Sequence, residues 1–247
     1  MSRLRPSPLF LLLVAVTAAG GALACLDGRA PRTTGIVLLV LGGWAVSLCL
    51  HEFGHAYVAY RGGDWTVRSK GYLTLDIRRY TDPVLSFVLP MLLLLIGGIP
   101  LPGGAVWIDR GLIRSRPTES AVSLAGPAAN LGIGALLVAA VALVEMPDGL
   151  RIGLACLAFV QILAFLLNIL PVPGLDGFGA IEPYLSFEAR RIANAVRPWA
   201  PLALFALLIA VPGASRALFN LGFGLFELIG GDPLAASDGF REFLFWR

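Results

Sequence analysis

The chain is poor in charge. Only 14% of its 247 residues are Asp, Glu, Lys or Arg, where soluble domains carry about a quarter. Lys70 is its sole lysine, and His51 and His55 are its only histidines. It has no basic arm, no interleaving of basic and aromatic residues and no internal repeat, so a net charge of +3 does not indicate a nucleic-acid partner. Cysteine is scarce as well. Cys25, Cys49 and Cys156 are odd in number, far apart and set in apolar runs. They offer neither a CxxC pair nor a disulfide framework, and read as buried small hydrophobes.

Apolar residues are abundant, at 57%. Runs lie near 8–25, 34–60, 84–101, 120–144, 150–170 and 199–211, and a helical span needs about 20 apolar residues. The expectation is an all-α polytopic protein of the cell membrane with about six transmembrane helices. The first run has a basic start and ends in Ala-Leu-Ala, the shape of a cleavable signal peptide. Five further apolar runs behind it favour an uncleaved first span. Residues 1–33 would then be the first span and an outer loop, and 34–185 the core. Residues 186–247 would form an amphipathic segment, a last span and a tail.

Positive charge sets the orientation. Arg3 and Arg5 before the first run place the N-terminus in the cytoplasm. Residues 61–82 are polar, and the alternation in "GYLTLDIRR" predicts a short strand or β-hairpin. The next segment decides the topology. If 84–108 spans fully, the basic residues up to Arg197 split eight against eight. If it is re-entrant, turning at Gly97-Gly98, thirteen fall inside and only Arg29, Arg32 and Arg151 outside. Pro100 and Pro102 also oppose a continuous helix there. The re-entrant reading is preferred. Non-helical backbone at membrane depth is tolerated only against protein or a wet cavity, so this segment should border a site.

Residues 51–55 read HEFGH within an apolar run. On a helix, His51 and His55 lie one turn apart on one face and can share a metal ion, while Glu52 stands beside them. Ionisable groups inside a membrane span are costly and usually functional. A catalytic zinc takes three protein ligands and keeps one position open. With no third histidine, the remaining ligand must be a carboxylate or a thiolate. Cys49 points to the wrong helix face. Asp64, Asp76, Asp82 and Asp109 lie in polar stretches and read as solvated surface. Asp176 is different, because Pro171 and Pro173 end the preceding apolar run and let the chain unwind before it.

HEFGH, "AGPAAN" at 125–130 and "NILPVPGLDG" at 168–177, in that order, resemble the site-2 protease family of intramembrane zinc metalloproteases over roughly residues 34–185. The resemblance implies one Zn2+ per chain held by His51, His55 and Asp176, with Glu52 as general base. It places Asn168 near the substrate backbone, and Asn130, with Gly126 and Pro127, in a motif that packs beside the metal. Asn168, Asn130, Gly103 and Gly104 are the candidate substrate contacts, the last two on a limb, "IPLPGGAVWI", that could pair with an extended substrate. The family often carries a PDZ domain between the metal motifs or a regulatory C-terminal domain. Here residues 131–167 are nearly all apolar and the tail is short, so a compact form is expected; Phe178 replaces a usual glycine but leaves the ligand and its neighbouring glycine in place. The implied activity is zinc-dependent cleavage of a membrane-protein substrate, expected to have a single span, within or near the bilayer. The alternative is a non-proteolytic membrane protein with a structural or transported zinc.

Overall fold

The computed structural model describes residues 6–80, Leu94 and residues 106–246. Helix α1 (Pro8–Ala24) is started by Ser7, whose Oγ accepts from the Phe10 N–H at 3.1 Å, with Pro8 at the first helical position. A short turn leads to α2 (Arg29–Gly62). The two backbones are nearly in contact. A Cβ on Gly20 would fall 2.4 Å from the Leu39 nitrogen, and one on Gly35 would fall 2.3 Å from the Ala24 nitrogen. Apolar surface gains little by burial among lipid tails, so close approach through small residues is how such helices adhere.

Helices α3 (Arg116–Leu143) and α4 (Asp148–Asn168) form a second hairpin. Ser115 caps α3 by accepting from the Thr118 N–H at 3.3 Å. Helix α4 is the axis of the bundle and is buried along most of its length. It packs against α2 and α3, and on its other side against α8 (Pro212–Leu228) and α9 (Pro233–Phe243). Between these lie α5 (Asp176–Ile181), α6 (Phe187–Val196) and α7 (Ala200–Ala210).

The bundle has two chemically distinct ends. At one, Arg32 meets Asp148 at 2.8 Å, and a Cβ on Gly149 would fall 2.1 Å from the Ala24 carbonyl oxygen. The end of α1 and the starts of α2 and α4 therefore lie together. At the other end, the Ser7 N–H donates to the Thr74 carbonyl (2.8 Å), Arg114 N–H to that of Gly62 (3.1 Å) and Lys70 Nζ to that of Trp107 (2.8 Å). The chain thus enters and leaves residues 81–105 at the same end. The proposed re-entrant segment, with Gly103 and Gly104, lies outside the described residues.

Several expectations are corrected. The described residues contain no strand. "GYLTLDIRR" forms two 3-10 turns, Tyr72–Thr74 and Ile77–Arg79, because Gly71 (φ 79°) and Leu75 (φ 58°) take left-handed backbone. Tyr72, Leu73 and Ile77 are all buried, which an alternating strand would not allow. Six spans are not seen among the described residues, and the expected run at 84–101 lies outside them but for Leu94. Among the described residues, α2, α3 and α4 are long and apolar enough to cross a membrane, and the α6–α7 pair, bent by 59°, would make a fourth. The run at 199–211 yields an 11-residue helix, only about 16 Å long at 1.5 Å per residue. Pro198 before it, Pro201 in its first turn and Pro212 after it set that limit. Cys25 is exposed, unlike Cys49 and Cys156.

Two aspartates taken as surface are buried. Asp64 accepts from the Thr66 N–H (3.0 Å), the Thr66 hydroxyl (2.6 Å) and the Asp109 N–H (2.7 Å), fastening the end of α2 to the returning chain. Asp76 receives a two-pronged contact from Arg78 at 2.9 and 2.8 Å, which holds its carboxyl below its ordinary pKa. Asp109 is exposed, as expected, and Asp82 lies outside the described residues.

Candidate metal centre

Helix α2 carries His51, Glu52 and His55 into the bundle, where all three are buried. Asp176 arrives from elsewhere. After α4 ends at Asn168, residues 169–175 run without regular helix, and Asp176 opens α5. The turn is tight enough that a Cβ on Gly177 would lie 2.0 Å from the Ile169 carbonyl oxygen. This places Asp176 Oδ2 3.1 Å from His51 Nε2, and Oδ1 3.4 Å from His55 Nε2. The two Nε2 atoms are 3.1 Å apart.

The opposite ring edges fix what these atoms are. His55 Nδ1 lies 2.7 Å from the Val122 carbonyl, which can only accept, so Nδ1 carries the proton and Nε2 a lone pair. His51 Nδ1 lies 2.5 Å from Asn130 Oδ1, and the Asn130 amide donates from Nδ2 to Gln161 Oε1 at 2.9 Å. His51 therefore also presents a bare Nε2. Asp176 Oδ2 is buried and has no hydrogen bond. Two lone-pair nitrogens and a carboxylate face one another with no proton to share among them.

A bound cation would relieve that arrangement. The edge of a tetrahedron of zinc ligands is about 3.3 Å for metal–ligand bonds of about 2.0–2.1 Å, and the three separations here are 3.1, 3.1 and 3.4 Å. Space is kept for the ion by an absence. A Cβ on Gly126 would fall 2.3 Å from His55 Nε2 and 2.5 Å from His51 Nε2. Gly126 is thus the one residue type α3 can place beside the centre. Pro127 follows it inside the helix and deprives the Ser123 carbonyl of its usual donor, loosening the ladder next to the carbonyl that holds His55.

Glu52 lies beside this triad, with the Val106 backbone within hydrogen-bonding reach of its carboxylate. The chain returning after residue 105 therefore borders the site. Asn130, read from the sequence both as a substrate contact and as part of a motif packing beside the metal, sits behind His51. Asn168 is buried at the end of α4. The residues that sequence reasoning missed are Gln161, Val122 and Val106. Gln161 had a signal, being the only amide or charged side chain between Arg151 and Asn168. The other two act through backbone atoms, which sequence does not reveal.

Beyond Asp176, Glu182 is buried between two cations. Arg110 Nη1 lies 2.9 Å from its Oε2 and 2.7 Å from Glu119 Oε1, while Arg197 closes on its Oε1. These pairs tie α3, the Asp176 segment and the start of the C-terminal helices together.

Two histidines one turn apart, an aspartate from a second element and an adjacent glutamate define a zinc metalloprotease site, set here in an apolar helical bundle. The comparisons with known proteins agree. The chain is 45% identical over 247 residues to "Putative zinc metalloprotease Rip2" of Mycolicibacterium smegmatis, covering 98% of this chain and 95% of that one. Identity to the protein of the same name in Mycobacterium tuberculosis is also 45%, over the same shares. It is 33% identical over 190 residues to "Putative zinc metalloprotease YwhC" of Bacillus subtilis, covering 71% of this chain and 82% of that one. No family model and no solved structure matches. The chain belongs to the site-2 protease family of zinc metalloproteases.

Proposed function

We propose that the protein is an intramembrane endopeptidase that hydrolyses a peptide bond of a membrane-protein substrate, most simply one with a single span. The observation that carries this reading is the buried convergence of His51, His55 and Asp176 beside Glu52, within helices apolar enough to cross a bilayer. Zinc held by these three ligands would supply a Lewis acid that polarises a carbonyl and makes water acidic enough to give up a proton.

The chain's own residues do the rest. Glu52 accepts the proton of the attacking water and returns it to the amide nitrogen as the C–N bond breaks. The Val106 backbone group steadies the carboxylate in this exchange. His51 and His55 hold their Nε2 lone pairs forward because their Nδ1 protons are engaged behind. A membrane helix has every backbone group paired, so the substrate must be extended before attack. Residues 106–109 are irregular chain beside Glu52 and could offer a pairing edge, with Asn168 nearby in sequence to the Asp176 turn.

If 84–108 is re-entrant, the resulting thirteen-to-three distribution of basic residues supports a metal end in the cytoplasmic leaflet and an N-terminus in the cytoplasm. The test of function is Glu52→Gln, assayed on a membrane-embedded model substrate. It should retain zinc and lose cleavage by about 10²-fold or more, the usual effect of removing a general acid–base group. Cleavage at the wild-type rate would remove Glu52 from the chemistry. Zinc binding without cleavage of any membrane substrate by the wild type would favour a structural or transported metal.

A further inference from the structure

Gln161 takes no part in the ligand set, touches neither histidine, and belongs to none of the motifs that mark the family. It is nonetheless fully buried in the middle of α4, where an apolar side chain would be expected. Its Oε1 accepts from Asn130 Nδ2 at 2.9 Å, while its own Nε2 is buried with no partner. Burying an amide with half its hydrogen bonds unmade is unfavourable. Packing alone does not account for a glutamine there, since leucine or methionine would fill similar volume without that cost.

The direction of the chain of contacts supplies the reason. An asparagine amide can turn by 180°, exchanging its oxygen and nitrogen in nearly the same outline. In the orientation present, Oδ1 faces His51 Nδ1 at 2.5 Å, so the imidazole proton sits on Nδ1 and Nε2 is free. In the turned orientation the amide N–H would face Nδ1, and the proton would move to Nε2, onto the atom that must bind the metal. Gln161 Oε1 accepts from an N–H and repels a carbonyl, so the Asn130 amide can turn only if the fully buried Gln161 amide turns with it.

We propose that Gln161 is a positioning residue for the metal centre, which locks the Asn130 amide and through it the tautomer of His51. His55 does not depend on this relay, because its Nδ1 proton is held by the Val122 carbonyl, a group that cannot turn over. The two histidines are thus held by devices of different kinds, one fixed in backbone and one set by a side chain two contacts away. The inference rests on the zinc reading of the site.

The experiment exploits the fact that the chain has only two imidazole rings. Gln161→Met keeps length and apolar fit but removes the acceptor, and Gln161→Glu restores a carbonyl or carboxylate acceptor. Each would be purified as the full chain in lipid nanodiscs. Zinc affinity would be read by chelator competition, and the tautomers of the metal-free protein by imidazole nitrogen NMR. Gln161→Met should bind zinc about 10–100-fold more weakly, the range seen when a partner behind a metal ligand is lost. The His51 signals should shift toward the Nε2–H form while those of His55 stay in place, and Gln161→Glu should recover most of the affinity. Wild-type affinity and unchanged His51 signals in Gln161→Met would overturn the proposal. So would a loss in which both rings change together and the melting temperature falls, since that assigns Gln161 to packing. If the wild type itself binds no zinc, the metal reading fails instead, a separate outcome.

Discussion

Helix α4 presents two faces that are held by different physics. Toward α3 it offers Gln161, the rear anchor of a hydrogen-bonded line through Asn130 to His51. Toward α8 and α9 it offers Phe159, two residues earlier. Phe159 stacks on Phe223 at 4.1 Å between centroids and meets Phe226 and Phe240 edge-on at 5.6 and 5.7 Å. The first face is directional, so a change of one atom type reverses its effect. The second is a set of ring contacts that many apolar side chains could replace at modest cost. The metal end therefore carries little tolerance, and the aromatic seam carries the bundle's mechanical cohesion. A protein that must hold a charged centre in an apolar bundle concentrates its polar contacts at one site and leaves adhesion to shape.

The sharpest way to break this contrast is Gly126→Ala. A methyl group there would fall among the ligand nitrogens, so zinc and cleavage should both be lost, with activity down by at least about 10²-fold. The helix should still form, since alanine favours it. Retained zinc, measured by metal analysis of the purified protein, would mean that α3 can move away and that the directional face is softer than argued. Asp176→Ala comes next. It removes one of three ligands and should leave a protein that folds, loses most of its zinc on passage through a chelating column, and cleaves nothing. Zinc content equal to the wild type would exclude Asp176 from the ligand set.

Phe159→Leu probes the other face. It should lower stability by about 1–2 kcal/mol through lost ring contacts, seen as a reduced melting temperature, while zinc affinity stays within error of the wild type. A parallel loss of zinc affinity would show that the two faces of α4 are coupled. The smallest effect is expected for Arg241→Ala. Its partner Asp238 lies 2.9 Å away, but both side chains are largely solvent-exposed, and such pairs contribute little. Melting temperature and zinc content should not change measurably, and a clear drop would give this exposed pair a stabilising role beyond that of the Arg151–Asp232 contact at the start of the same helix.

How much of this was readable from residues depends on whether the signal was local. The apolar runs at 8–25, 34–60, 120–144 and 150–170 became α1 to α4 with ends shifted by a few residues, because hydrophobicity of that length leaves a membrane chain few alternatives. The run at 199–211 misled, since composition alone does not count the prolines that shorten a helix. The alternation in 71–79 misled too, because left-handed backbone at Gly71 and Leu75 turned a strand-like pattern into two tight turns. Helix α9 escaped notice altogether. Its mixed composition hides that Phe243 and Ala236 pack fully inside the bundle.

The sequence by itself determined the chemistry of the centre. HEFGH on a helix commits two imidazoles and a glutamate to one neighbourhood, since residues one turn apart share a face whatever surrounds them. It also determined that Asp176 would be free to reach them, because prolines end the helix before it. Only the tertiary structure decided which atoms face the metal. That depends on a carbonyl of Val122, an amide of Asn130 and an acceptor on Gln161, which lie 67, 79 and 31 residues from the partners they serve. Likewise only the packing made Gly126 a vacancy for an ion rather than one more small residue in a membrane helix. Hydrogen-bond direction and excluded volume act between surfaces brought together by folding, and a linear pattern holds no record of which surfaces those are.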